Sequence, residues 1–209
     1  MILPNELKEA IRLLPAKEKD KLIFRLLKKD ISLIKQLDFL LVSSDSVEER
    51  RENTRNYISQ LIERATCSFY STGYLNMDVR EMSGAITEHI KTTKDKYGEI
   101  SLNLWMISEI LEKNKDNILS ENYARSEKFC TSVITKVFKI LMLINKMHKD
   151  YLLDFEDELK KLGMLIANNP SIMKRAIYNG LDINWLIQIN IPENIEEIHK
   201  DLRRRGYLR

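Results

Sequence analysis

The sequence predicts an all-α fold. Six Gly and four Pro in 209 residues leave little material for the tight turns of a multi-stranded sheet. Apolar residues recur instead at i, i+3, i+4 and i+7 through most of the chain, the spacing that forms one apolar stripe on a helix. Because 44% of the residues are hydrophobic and 31% charged, the balance is that of a folded protein. One domain over 1–209 is the expectation, since this length buries a large core without a metal or disulfide.

The first 42 residues predict three short amphipathic helices. Asn5 is an N-cap residue type for the first helix, and Pro15 ends it. The third helix begins after Asp30, and the short joint there predicts a hairpin of the second and third helices. We interpret the stripe within 20–35 as core-facing and its charges as a solvated face, not as a membrane-binding surface.

A long fourth helix is predicted to begin at a capping box. Ser46 and Glu49 have the spacing in which each side chain accepts from the other residue's backbone N–H. Residues 48–55 are nearly all charged, which predicts that this end of the helix projects past the core into water.

Three more helices are predicted in the middle of the chain. Residues 71–76 are interpreted as a break, after which Asp78 begins a helix that Gly98 ends. The next helix, 100–115, is apolar on most sides and is predicted to lie buried near the centre. A long helix at 120–148, about 45 Å at the standard rise per residue, is the predicted axis of the fold.

Shorter helices follow at 154–167, at 171–178 closed by Asn179 and Gly180, at 182–189, and at 193–205 closed by Gly206. We divide the chain into an N-terminal helical subregion 1–42, a helical core 46–150 and a short-helix subregion 153–209. About ten helices joined by short connections predict antiparallel neighbours. We favour hairpins stacked into a short αα-superhelix, because so many short hairpins are hard to wrap round one axis. An irregular bundle around the long helix is the alternative.

The residues that carry chemistry are too scattered to predict an active site. All six glycines are isolated, which argues against a phosphate-binding loop. Cys67 and Cys130 lie far apart, and Glu196 with His199 makes a lone Glu-x-x-His step, so we predict no metal, no cofactor and no catalytic residue. The enzyme alternative requires residues from distant helices, with His89 or His148 among them.

Nucleic-acid binding is a second alternative, located at the C-terminus. The helix at 185–189, a turn and the helix at 193–205 have roughly helix-turn-helix proportions. The predicted contacts to phosphate are made by four basic side chains: Lys200, Arg203, Arg204 and Arg205. Glutamates in the first turns of that helix oppose this reading, and so does a net charge of only +3 from 34 basic and 31 acidic residues.

The leading hypothesis is a non-enzymatic interaction or scaffold module that presents helices to a protein or peptide partner. The N-terminus lacks the layout of a signal peptide, and no run approaches the roughly 20 apolar residues that span a bilayer. These features, with the two isolated cysteines, predict a soluble cytoplasmic protein without a membrane partner.

Overall fold

Twelve α-helices and one 3-10 turn make up the secondary structure of residues 3–209, the part of the chain that the computed structural model describes. The predicted all-α class is confirmed. The predicted domain, 1–209, also includes Met1 and Ile2, which lie outside the described residues. The helices are α1 (Asn5–Leu13), α2 (Ala16–Leu27), α3 (Ile31–Leu41), α4 (Val47–Cys67), α5 (Thr72–Thr93), α6 (Lys96–Lys113), α7 (Lys115–Ser120), α8 (Tyr123–Asn145), α9 (Leu152–Ala167), α10 (Pro170–Tyr178), α11 (Asn184–Ile187) and α12 (Ile195–Arg204), with the 3-10 turn at Lys149–Tyr151.

The core is built around α6 and α8. Helix α8 packs against α5, α6, α10 and α12, while α6 packs against α4, α5, α8 and α9. Large side chains on both helices are fully buried, among them Ile107, Ile110 and Phe138. The long helix therefore lies inside a bundle, the second arrangement that the sequence left open, although α4, α5 and α6 also pack as successive neighbours.

Several helix ends follow their local sequence signals. The Ser46 hydroxyl accepts from the Glu49 N–H at 3.1 Å, and the Glu49 carboxylate accepts from the Ser46 N–H at 2.7 Å, so the predicted capping box begins α4. Gly180 and Gly206 follow α10 and α12 with φ of 71° and 92°, the left-handed backbone that favours glycine at a helix end.

Three predicted boundaries in the middle of the chain are wrong. Residues 71–76 are not a break, because Ser71 caps α5, which begins at Thr72. Gly98 lies inside α6 instead of ending α5. The predicted helix 120–148 corresponds to α8 but is three residues shorter at each end, because α7 occupies the chain up to Ser120 and α8 runs from Tyr123 to Asn145.

The first three helices form what we call the N-terminal arm (residues 3–42). None of the residues of α1, α2 or α3 is buried. Helix α3 attaches the arm to the core by packing against α5, where Lys35 makes an ion pair with Glu88 at 2.6 Å. The interpretation of the stripe within 20–35 as core-facing is wrong, because its apolar side chains are exposed or only half-buried.

At the other end of the chain, the C-terminal segment closes the bundle. Leu208 is buried, and its N–H donates to Oδ1 of buried Asn179 at 2.8 Å. Among residues 3–209, no helix combines the length and apolar character needed to cross a membrane.

Candidate functional site

Asp95 is a buried carboxylate at the junction of α5 and α6. After α5 ends, Lys94 adopts a φ of 60°, and the chain turns so that Asp95 becomes the N-cap of α6. Its Oδ1 accepts from the Gly98 N–H at 2.8 Å. A Cβ on residue 98 would lie 2.0 Å from Asp95 Oδ2, so only glycine allows the carboxylate to approach the first turn this closely.

Arg51 reaches Asp95 from the first turns of α4. Its Nε donates to Oδ2 at 2.7 Å and its Nη2 to Oδ1 at 3.0 Å, a bidentate pair. The guanidinium also stacks over the ring of Tyr97 at 5.1 Å from the centroid. The expectation that 48–55 projects into water is therefore wrong for Arg51, because a buried carboxylate and an aromatic ring hold it against α6.

His89 completes this network from the last turns of α5. It is 1% exposed, and its Nε2 lies 3.1 Å from Asp95 Oδ2. Burial alone would raise the pKa of Asp95, but hydrogen bonds from His89, Arg51 and Gly98 outweigh burial and hold that pKa well below its usual range. Because the carboxylate is ionised, Nε2 carries the hydrogen and donates it. The other ring nitrogen, Nδ1, is buried and has no hydrogen-bond partner among residues 3–209.

A cleft of about 380 Å³ opens beside His89, between α4 and α5; we call it the His89 cleft. Arg50 also lines this cleft, and its Nε is a second buried nitrogen without a hydrogen-bond partner in the described part of the chain. Asp45 and Glu88 contribute exposed carboxylates. The full lining is Asp45, Arg50, Asn53, Thr54, Tyr57, Ala85, Glu88 and His89.

A second cleft, of about 510 Å³, lies on the Arg51 side of the same network. Its two arginines already have partners in the chain, since Arg51 is bound to Asp95 and Arg55 stacks on the Trp105 ring at 4.7 Å. Burial raises the pKa of Glu158, another lining residue. The lining comprises Glu48, Glu49, Arg51, Glu52, Arg55, Tyr97, Ser101, Asp154, Phe155 and Glu158.

His89 and Asp95 have one part of the arrangement found in catalytic sites. A histidine oriented by a carboxylate is the arrangement of a general base, and Asp95 orients His89 in this way. Nucleophilic catalysis also requires a hydroxyl or thiol beside the base. The described lining of the His89 cleft contains neither Ser nor Cys, and the hydroxyl of Thr54 donates to the Arg50 carbonyl at 2.9 Å.

The other histidines lie apart from this network. His148 is exposed and lies 3.1 Å from the Asp150 carboxylate. His199 packs on Phe138 with 5.7 Å between ring centroids, and burial followed by the charge of Arg203 lowers its pKa. Within residues 3–209, no three or more His, Cys, Asp or Glu side chains are grouped so that they could hold a metal ion.

Two groups on α8, the buried Cys130 thiol and the half-buried Lys136 amine, also have shifted pKa values. Burial raises the pKa of the Cys130 thiol to about 11, so it is a poor nucleophile. Burial, followed by the charges of Lys139 and Arg80, lowers the pKa of Lys136 to about 8. Its Nζ donates to the Ser83 hydroxyl at 2.6 Å, and that hydroxyl donates to the Val79 carbonyl within α5.

The four basic residues predicted to meet nucleic acid lie at the end of the chain. Arg204 and Arg205 make ion pairs with Asp201 at 3.7 and 2.7 Å, while Lys200 and Arg203 are exposed. Helix α11, which would precede the recognition helix, has only four residues. Helices α11 and α12 lie close to the two predicted ranges, and both the helix-turn-helix and phosphate binding by these side chains stay predictions.

The N-terminal arm presents an apolar surface. It contributes thirteen of the twenty-three exposed large hydrophobic side chains in residues 3–209, although it makes up about a fifth of that range. Leu13, Phe24 and Leu41 are 83%, 62% and 74% exposed. The whole set is Leu3, Leu7, Ile11, Leu13, Ile23, Phe24, Leu26, Ile31, Leu33, Ile34, Leu40, Leu41 and Val42.

Comparison with known proteins gives no match. No protein-family model fits the chain, and neither a curated protein nor a solved structure matches it. No activity, substrate or partner therefore comes to this chain from a relative.

Sequence reasoning included His89 in the enzyme alternative but missed Arg50, Arg51 and Asp95. Arg50 and Arg51 stand in a run of charges that is typical of a solvated helix end. Asp95 carries one local signal, the N-cap residue type three positions before a glycine. Nothing local indicates that an arginine 44 residues earlier binds this carboxylate.

Proposed function

We propose that this protein is a non-enzymatic interaction module and that its N-terminal arm docks a partner protein. The observation that carries the proposal is the absence of any buried residue from α1, α2 and α3, within a chain whose other long helices bury continuous apolar faces. Amphipathic helices with an uncovered apolar stripe are typical of surfaces that bind another helix.

Burial of this surface would supply the free energy of docking. Fully burying one Leu, Ile or Phe side chain contributes about 1.5–3 kcal/mol. Monomeric proteins rarely leave large contiguous apolar patches exposed, and such patches mark interaction sites. A partner need cover only a few arm side chains, such as Leu7, Ile23 and Phe24. The free energy of burying them would offset part of the entropy lost on association.

Charge indicates what kind of partner fits the arm. Residues 3–42 contain nine Lys and Arg against six Asp and Glu, a net +3 that equals the net charge of the whole chain. The rest of the chain is therefore balanced. We infer that the partner presents an amphipathic helix, or a pair of helices, whose apolar stripe is bordered by acidic side chains.

Capture with matched variants tests this proposal. Phe24→Glu and Ile177→Glu each replace an exposed apolar side chain on a helix, 62% and 67% exposed, by a carboxylate. The tagged full-length chain and both variants are used to capture proteins from nuclease-treated lysate of the source cells. The proposal predicts a protein that is retained by wild type and Ile177→Glu and lost with Phe24→Glu.

Identical captured sets for the two variants would overturn the proposal. A second copy of this chain is a separate outcome, recognised because the solution mass in light scattering becomes twice 24.6 kDa and returns to 24.6 kDa in Phe24→Glu. That result would mean that the arm binds a second copy of this chain and not an acidic partner protein.

We place this interaction in the cytoplasm. Cys67 is exposed and Cys130 buried, and neither forms a disulfide, as is typical of proteins from reducing compartments. Fractionation of source cells with antibodies to the chain tests the location, and recovery in an oxidising or extracellular fraction would contradict it.

A further inference from the structure

We propose that a groove between α3 and α5 receives a large apolar side chain from the helix that docks on the N-terminal arm, with an acidic residue of that helix beside Lys91. Such an anchor depends on the docking role proposed above and adds the place where the partner is held. The groove, which we call the α3–α5 groove, has a volume of about 380 Å³. Its lining is Ile31, Ser32, Lys35, Gly84, Thr87, Glu88, Lys91 and Thr92.

The groove lies where the arm meets the core. Helix α3 packs against α5, and Lys35 pairs with Glu88 at 2.6 Å across the contact. One wall of the groove therefore belongs to the arm and the other to a core helix. Ile31, on the wall that belongs to the arm, is 72% exposed. A partner helix that covered Ile31 would also cover the mouth of the groove.

Gly84 leaves room in the groove for a side chain from outside. A Cβ on residue 84 would meet no heavy atom within 4 Å, so the space that a larger residue would fill is empty. Thr87, one turn further along α5, donates its hydroxyl to the Ser83 carbonyl at 2.8 Å, which turns that hydroxyl back onto the helix. A hole of this kind on a helical surface accepts a side chain from another helix.

Charge at the groove favours an acidic residue beside the anchor. Glu88 is bound to Lys35, and the carboxylate of Asp30 accepts from the Leu33 N–H at 3.1 Å as the cap of α3. Lys91 is exposed and has no ion-pair partner in the described part of the chain. Both acids are thus engaged, whereas Lys91 remains available to a partner carboxylate. The same sign of charge was inferred for the partner from the arm.

One inserted side chain would contribute much of the affinity. A few apolar anchors that fill pockets carry most of the binding energy in protein interfaces. An anchor in the α3–α5 groove would contact the arm and the core at once. It would therefore also fix how the partner lies relative to the helical bundle.

Filling the groove tests the anchor. Gly84→Leu places a side chain in it, and Gly73→Leu is the matched control at another exposed glycine of α5, where a Cβ would lie 3.6 Å from Ser71 Oγ, an ordinary contact. The probe is the protein that full-length wild type captures and Phe24→Glu does not, purified and titrated by calorimetry. Gly84→Leu should bind it at least about 30-fold more weakly, and Gly73→Leu like wild type. Both variants should fold, since leucine favours a helix more than glycine does.

Charge reversal tests the acidic contact without filling the groove. Lys91→Glu and Lys128→Glu each replace an exposed lysine on a helix and change the net charge by the same amount. Lys91→Glu should bind the probe roughly 10-fold more weakly, because it places like charges together, while Lys128→Glu should bind like wild type.

The possible failures are distinguishable. A probe that binds Gly84→Leu as tightly as wild type would overturn the anchor and leave docking on the arm intact. Equal binding by Lys91→Glu and Lys128→Glu would overturn the acidic contact. If no captured protein is lost with Phe24→Glu, docking on the arm fails, and the anchor fails with it.

Discussion

His89 and Asp95 lie six residues apart and are joined inside the fold by a hydrogen bond of 3.1 Å from Nε2 to Oδ2. The bond crosses the turn between α5 and α6, so it ties the end of one core helix to the start of the next. Arg51 adds α4 to the same carboxylate at 2.7 Å. One buried acid therefore joins three helices of the core.

Asp95→Asn is expected to destabilise the protein by about 2–4 kcal/mol. The change leaves the partly buried guanidinium of Arg51 without its counter-charge and removes one acceptor from His89. Urea denaturation, monitored by circular dichroism, measures the loss in the free energy of unfolding. The control is Asp150→Asn, whose carboxylate is 86% exposed beside exposed His148 and whose effect should stay within about 0.5 kcal/mol. Equal effects of the two substitutions would contradict a structural role for the network.

The contribution of Asp95 should depend on pH in one direction. Because its folded pKa lies below the ordinary value of 3.8, the folded chain keeps the carboxylate ionised at a pH where the unfolded chain takes up a proton. The stability that ionised Asp95 contributes is fully present above about pH 4. It is lost as pH falls further through the pKa of Asp95 in the folded chain. Urea titrations should therefore give a constant difference between wild type and Asp95→Asn from about pH 7 to 5 and a shrinking one below about pH 4. A difference that grows on acidification would contradict the assigned direction.

Lys136→Met is expected to stabilise the protein at neutral pH by about 1 kcal/mol. The pKa of this half-buried lysine is lowered to about 8 from 10.5, so its positive charge costs folding free energy below pH 8. That cost fades as pH rises from about 8 towards 10.5, because the folded chain loses its proton before the unfolded chain does. The gain should therefore be smaller at about pH 10 than at pH 7 in thermal melts. Lys128→Met, at an exposed position of the same helix, should show no such dependence.

Gly163→Ala and Gly84→Ala are expected to change stability in opposite directions. A Cβ on residue 163 would lie 2.7 Å from Ile187 Cγ1 and 3.1 Å from Leu186 Cβ, so α9 and α11 would have to separate, at a cost of about 1–3 kcal/mol. A Cβ on residue 84 meets nothing within 4 Å, and alanine in that helix should add about 0.5–1 kcal/mol. Chemical denaturation distinguishes the two, and a neutral Gly163→Ala would mean that α11 does not pack against α9 as closely as described.

Local signals in the sequence were enough for the fold class and for many helix ends. The capping pair Ser46 and Glu49 and the terminal glycines Gly180 and Gly206 depend on neighbours within a few residues, which is why they could be predicted. The break predicted at 71–76 was wrong because Ser71 is equally suited to a loop and to an N-cap, and only packing distinguishes the two.

The candidate sites depend on contacts that the sequence does not encode locally. Arg51 has the sequence surroundings of a solvated residue, and only the approach of α4 to α6 brings it to Asp95. The apolar stripes of α1 and α2 have the periodicity of core helices, but periodicity cannot tell whether another layer of the fold covers them. Tertiary packing decided both cases.

Photo-crosslinking in the source cells tests the proposed docking role of the N-terminal arm most directly. Phe24 and Ile177 are each replaced by p-benzoyl-phenylalanine, one in the arm and one on α10, at similarly exposed positions. We predict a discrete, nuclease-resistant adduct of the chain with another protein from position 24 and none from position 177. No adduct at 24, the same adducts at both positions, or an adduct of twice 24.6 kDa that contains only this chain would contradict docking of a partner protein on the arm.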